Sequence, residues 1–241
     1  MLMASILAHI VEFRNGESGL HVIHVSTITK MILEHLIKKT KKYGISKKDI
    51  SLIRRASALH DIGKIAIPDE ILNKPGRLTP EEFEVMKTHS LKGAEILGGL
   101  ELWKDEPLVK YAYQICRWHH ERWDGTGYPD GIAGGQIPIA AQVVALADVY
   151  DALTSRRCYK DAIPHETAVK MILDGECGAM NPDLLSALSE ISGRLKAELA
   201  KRPHKAGHKK KRRPPETALQ PEAVPTAAAG EMRPTDAPRQ P

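Results

Sequence analysis

Cysteine is nearly missing from this sequence: Cys116, Cys158 and Cys177 stand far apart, and none belongs to a Cys-x-x-Cys pair. That pattern excludes a disulfide scaffold and a thiolate zinc site, and it fits a chain working in a reducing cytoplasm. Aromatics are scarce too, at 5% of residues, while hydrophobic residues reach 42%, so a core must be built from aliphatic side chains. No apolar stretch reaches the roughly 18 residues of a membrane span. Met1 to Ala8 is short and apolar with no basic residue ahead of it, which makes a poor signal peptide. Alternating apolar and polar runs of useful length are lacking, and so are internal repeats. The expected class is all-α.

Charge imbalance is also missing from most of the chain. Residues 1–200 carry 25 Lys and Arg against 26 Asp and Glu, whereas residues 201–241 carry 10 against 4. The formal net charge of +5 therefore comes from the tail. Two regions are expected: a folded domain over 1–200, and a tail over 201–241 too poor in large apolar side chains to offset ordering entropy. The tail's six basic residues between Lys205 and Arg213 could meet nucleic acid or anionic lipid, or simply be solvated. The lack of interleaved aromatics, which would stack on bases, speaks against nucleic-acid binding.

What is present is a series of helices ending in histidine and aspartate. Helices are expected over residues 5–14, about 20–42, 47–59, 79–97, 108–120, 137–153, 165–173 and 182–199. Ser46 with Asp49, and Thr79-Pro80 with Glu81 and Glu82, mark clear starts. The stretch Ala58-Leu59-His60-Asp61-Ile62-Gly63-Lys64 carries an imidazole, a carboxylate and an ammonium straight out of an apolar helix. Buried charge must be paired or bound to metal, so the choice is a structural His-Asp hydrogen bond or part of a metal site. Glu17 and His21 are four apart across Gly19, which allows close approach of another group; an ordinary surface pair is the alternative. His89 alone reads as a partly exposed helix residue. His119 and His120 close a helix, where they could be a cap pair. Asp148 interrupts the apolar run Val143 to Val149, and Arg157 and Lys160 follow it.

Taken together, Glu17, His21, His60, Asp61, His89, His119, His120 and Asp148 are too many ligands for one ion. Imidazoles with carboxylates and no thiolate suit Fe, Mn, Co, Ni or Zn rather than Mg or Ca. Two metals about 3.5–4 Å apart with a bridging carboxylate make a hydrolase site, and Lys64, Arg157 and Lys160 could neutralise phosphate charge.

Three long motifs resemble the HD-GYP subgroup of the HD superfamily: His60 to Lys64, His119 to Pro129 (with Gly127-Tyr128-Pro129) and Ala147 to Ser155. Glu17-Ser18-Gly19-Leu20-His21, Ile67 to Gly76 and Met86 to His89 match the same family, so the resemblance covers about residues 5–195. It implies an HD-type helical bundle with a buried site for two or three divalent ions, iron or manganese, and hydrolysis of cyclic di-GMP to the linear dinucleotide or GMP. It also implies metal ligation by His21, His60, Asp61, His89, His119, His120 and Asp148, with Asp61 bridging and Glu17 on a third ion. Lys64 then contacts the phosphodiester, Tyr128 lies near the guanine end, and Arg157 and Lys160 contact phosphate. Cys158 stands where the family commonly has proline, and Asn181 where aspartate is frequent. Such domains usually follow a receiver or sensor domain, so a homodimer, a separate partner or an upstream segment is expected to supply the input. A cyclic di-GMP sensor without catalysis and another nucleotide phosphohydrolase are the alternatives.

Overall fold

The computed structural model describes residues 2–14, 19–155 and 161–201. Glu17, Arg157, Cys158, Lys160 and the tail from residue 202 lie outside the described residues. All regular structure among the described residues is helical, in ten α-helices with short 3-10 turns between some of them. They are α1 (Leu2–Arg14), α2 (Leu20–Lys39), α3 (Lys47–Ala56), α4 (Asp69–Leu72), α5 (Pro80–Lys87), α6 (His89–Gly98), α7 (Pro107–Trp118), α8 (Ile139–Thr154), α9 (His165–Leu173) and α10 (Pro182–Leu199). No helix among the described residues is long and apolar enough to cross a membrane.

The helix α2 is the axis of the bundle. Its Val25, Ile28, Ile32, Leu33 and Leu36 are buried, and it packs against α3, α8 and α10. The helix α8 buries residues around most of its circumference, including Val143, Val144, Leu146 and Ala147, as expected of a helix enclosed by others. Ile53, Ile115, Leu184, Leu188 and Ile191 complete an aliphatic core. Each such side chain stabilises the fold by about 1.5–3 kcal/mol through burial. Cys116 is buried in this core.

The helix starts follow the sequence. Ser46 and Asp49 form a reciprocal capping box on α3, and Thr79 and Glu82 form another on α5. Several ends differ. The helix expected to run from 79 to 97 is two helices, α5 and α6, broken at Thr88. There the Thr88 hydroxyl donates to the Val85 carbonyl at 2.7 Å, and Ser90 Oγ donates to the Lys87 carbonyl at 3.0 Å. Such side-chain bonds compete with the backbone ladder, and the break places His89 at the head of α6. The helix expected over 47–59 tightens to a 3-10 turn at Ser57–Leu59, and α2 stops at Lys39 because Thr40 is extended.

Candidate metal centre

Seven of the eight expected ligands lie in the described residues, and the fold brings all seven together. His21 comes from the first turn of α2, His60 and Asp61 from the segment after the Ser57–Leu59 turn, His89 from the head of α6, His119 and His120 from just past α7, and Asp148 from α8. They form two groups. Asp61, His89, His119 and His120 are one, and His21, His60 and Asp148 the other; within each, the candidate ligand atoms lie within 4.8 Å of one another. Asp61 joins the groups. Its Oδ1 lies 3.3 Å from His89 Nε2 and 3.8 Å from His119 Nε2, while its Oδ2 lies 3.3 Å from His60 Nε2. His89 is buried rather than partly exposed, because the break at Thr88 turns it inward.

The chain fixes which ring nitrogen faces the centre. His60 Nδ1 sits 2.9 Å from the Ser57 carbonyl, His89 Nδ1 2.7 Å from the Met86 carbonyl, and His119 Nδ1 2.9 Å from the Ile115 carbonyl. A carbonyl only accepts, so Nδ1–H donates and the neutral ring presents a lone pair at Nε2. Those Nε2 atoms crowd one another: His21 to His60 at 3.4 Å, His89 to His119 at 3.4 Å and His120 to His89 at 3.1 Å. Lone pairs at such distances are reconciled by a shared cation. The Oδ1 atom of Asp61 is buried without a hydrogen-bond partner, which fits the same conclusion. The residues present therefore suit divalent metal ions.

Electrostatics point the same way at His119 and His120, while at His60 burial is outweighed by Asp61 and Asp148, which raise that ring above the ordinary histidine value. Burial pushes His119 down to about 3, with His60 and His89 adding to the effect. Burial likewise holds His120 well below the ordinary histidine value. Both rings are thus neutral near pH 7 and free to ligate. Burial opposes the charge on Asp61, but Lys64, His60 and His89 outweigh it and keep the carboxyl well below its usual range. The Lys64 ammonium lies 2.6 Å from Asp61 Oδ2. Tyr128 reaches the centre from the 121–131 loop and stacks on His120, with ring centroids 4.7 Å apart and planes at 24°.

Two contributors escape the expected set. Asp151 is almost fully buried. Its Oδ2 accepts from His21 Nδ1 at 2.7 Å, and its Oδ1 accepts from His24 Nδ1 and Ser155 Oγ, both at 2.8 Å. It orients His21 as a second carboxylate commonly orients a metal-binding histidine. The signal was available: His21 and His24 on α2 face Asp148 and Asp151 on α8, both pairs spaced three apart. Glu121 is the other. Its Oε1 accepts from the Asp130 and Gly131 amides at 2.7 and 3.1 Å, which folds the loop back so that Tyr128 meets His120. We expect Asp151→Asn to weaken metal binding by about 10–100-fold and to lower stability by about 1–2 kcal/mol, because one buried donor loses its acceptor. Metal titration and thermal melts check both.

A family model described as the HD domain matches residues 18–178. The chain belongs to the HD domain family. Its motifs and relatives place this HD domain in the HD-GYP branch. It is 43% identical over 190 residues to a probable cyclic di-GMP phosphodiesterase of Vibrio cholerae, covering 75% of this chain and 42% of that one. It is 39% identical over 184 residues to a 3'3'-cGAMP-specific phosphodiesterase of the same organism, covering 76% of this chain and 33% of that one. A crystal structure of a cyclic GMP-AMP specific phosphodiesterase from V. cholerae shares the fold, with a TM-score of 0.56 at 16% identity, over 82% of this chain and 50% of the other. This HD domain therefore spans less than half the length of these relatives.

Proposed function

We propose that this chain hydrolyses a phosphodiester bond of a cyclic dinucleotide, cyclic di-GMP first, yielding the linear dinucleotide or GMP. The observation that carries the reading is the Asp61 carboxylate, with one oxygen turned to each of two histidine groups and the Lys64 ammonium against it. Two divalent ions, iron or manganese as the resemblance implies, would supply Lewis acidity toward the phosphodiester and an activated water. His89, His119 and His120 would hold one position with Asp61, and His21, His60 and Asp148 would hold the other. Glu17, through the resemblance, is assigned a third.

Lys64 provides a fixed cation where negative charge gathers on the phosphoryl oxygens. Such preorganised charge does most of what phosphoryl transfer asks of a protein. The Tyr128 ring, half-buried and stacked on His120, with burial pushing its phenol up from the ordinary value, is assigned to a base by the same resemblance. Arg157 and Lys160 are assigned to phosphate by the same resemblance. Lys64→Ala should keep its metal and lose roughly 10²-fold in rate, measured as turnover beside metal content. Loss of metal on this change would make Lys64 a shaping residue instead.

The 3'3'-cGAMP reading is supported by a relative almost as similar as the cyclic di-GMP one. It differs only in one base, so the test offers both. Protein loaded anaerobically with iron or manganese is incubated with each dinucleotide and the products are separated by chromatography. Faster turnover of cyclic di-GMP is the expected result. A preference for 3'3'-cGAMP would move the substrate, and binding of either without turnover at full metal content would favour a sensor.

A further inference from the structure

The last residue of α1 makes contacts that the proposed chemistry does not yet use. Arg14 Nη1 donates to the Lys64 carbonyl and the Ile65 carbonyl, both at 2.8 Å, and Nη2 donates to the Ile67 carbonyl at 2.7 Å. The same guanidinium meets Asp69 Oδ1, with Nη2 at 2.9 Å and Nε at 3.1 Å. One side chain thus gathers three backbone carbonyls and a carboxylate from a segment 50 to 55 residues away. The carbonyls belong to the end of the 3-10 turn Ile62–Ala66 and to the residue that follows it. The Lys64 carbonyl also accepts from the Ile67 amide at 3.1 Å, and the last carbonyls of a helical turn take such partners from outside it. A planar fork of five donors suits that geometry, whereas a lysine offers a single point.

That turn is the one that carries Lys64. On its other side it is pressed against α6, where Gly63 leaves no room for a side chain: a Cβ there would fall 1.9 Å from the His89 carbonyl oxygen. The turn is therefore held from two directions, by close backbone contact at Gly63 and by the Arg14 fork at its end. Between them stands the ammonium that meets Asp61 at 2.6 Å.

We infer that Arg14 is a positioning residue for Lys64, fixing through the backbone of the Ile62–Ala66 turn where that ammonium stands over the metal centre. The inference rests on the proposed reading of Lys64 as the cation facing the phosphodiester. It makes α1 part of the working site although no residue of α1 belongs to either ligand group.

The first test needs no substrate. Amide hydrogen exchange is compared between the parent and Arg14→Ala in peptides covering residues 62–69, with a peptide from α10 as control. Exchange in 62–69 should speed by about tenfold or more while α10 keeps its rate, since local opening follows lost local contacts. Arg14→Lys keeps the charge without the fork and should behave as Arg14→Ala does; it also serves if Arg14→Ala fails to fold. Unchanged exchange in 62–69, or parent-like exchange in Arg14→Lys, would overturn the inference.

The second test uses turnover of cyclic di-GMP in a double-mutant cycle. Arg14→Ala should lower kcat about tenfold in the parent and have no further effect in Lys64→Ala, with metal content unchanged throughout. An equal loss in both backgrounds would show that Arg14 acts only on general stability. If the parent turns over neither cyclic dinucleotide, the proposed function fails, while hydrogen exchange still decides whether Arg14 holds the turn.

Discussion

Asp61→Ala is expected to strip metal from the protein and lower turnover by at least about 10³-fold, the upper range for removing one preorganised electrostatic contact. No other described side chain serves both ligand groups: Oδ1 faces His89 and His119, and Oδ2 faces His60. Removing it leaves two sets of neutral imidazoles without the shared carboxylate that offsets cationic charge. It also leaves Lys64 without its 2.6 Å partner, so the ammonium would stand against the positions meant for metal. The fold should survive, because Asp61 lies beyond α3 and contributes nothing to the aliphatic core. Elemental analysis with a turnover assay measures the effect, and circular dichroism checks the fold. An Asp61→Ala protein with full metal content and rate would remove the site assignment altogether.

Much of this centre was legible because helix ends are legible. His60, Asp61, His119 and His120 follow apolar helical runs, and apolar periodicity with caps and glycines locates such runs. Gly19 was expected to allow a close approach, and His9 makes it: a Cβ at that position would fall 2.0 Å from the His9 ring. The burial of His89 was not legible. It depends on Thr88 and Ser90 hydroxyls breaking a helix that propensity alone would continue. Asp151 was legible only as a buried acid. A buried acid in an apolar helix announces a partner, but which of two neighbouring acids takes a ring Nδ1 and which faces the centre depends on the rotation of α8 against α2. The Arg14 contacts are less legible still, since they join a helix end to backbone carbonyls, and carbonyls carry no sequence signal.

The same limit makes Gly63 consequential. Its backbone is in an ordinary helical region, so conformational freedom is not the reason for it. Space is: a Cβ would fall 1.9 Å from the His89 carbonyl oxygen and 2.4 Å from the Gly93 amide nitrogen. Both are backbone atoms of α6, and neither can swing aside as a side-chain tip could. Gly63→Ala must therefore push the Ile62–Ala66 turn away from α6, carrying Asp61 and Lys64 away from His89. Overpacking of this kind costs about 3 kcal/mol or more, which in a domain of this size lowers Tm by roughly 6–12 °C. Metal affinity should fall with it, because the displaced residues include the carboxylate shared by both ligand groups. Gly193 is the contrast. It lies within α10 with nothing near its missing Cβ, and Gly193→Ala should raise Tm by about 1–4 °C through the lower entropy cost of ordering alanine. Thermal melts of the two variants beside the parent should move in opposite directions. A Gly63→Ala protein that melts with the parent and keeps its metal would mean that the turn is not wedged against α6 as described.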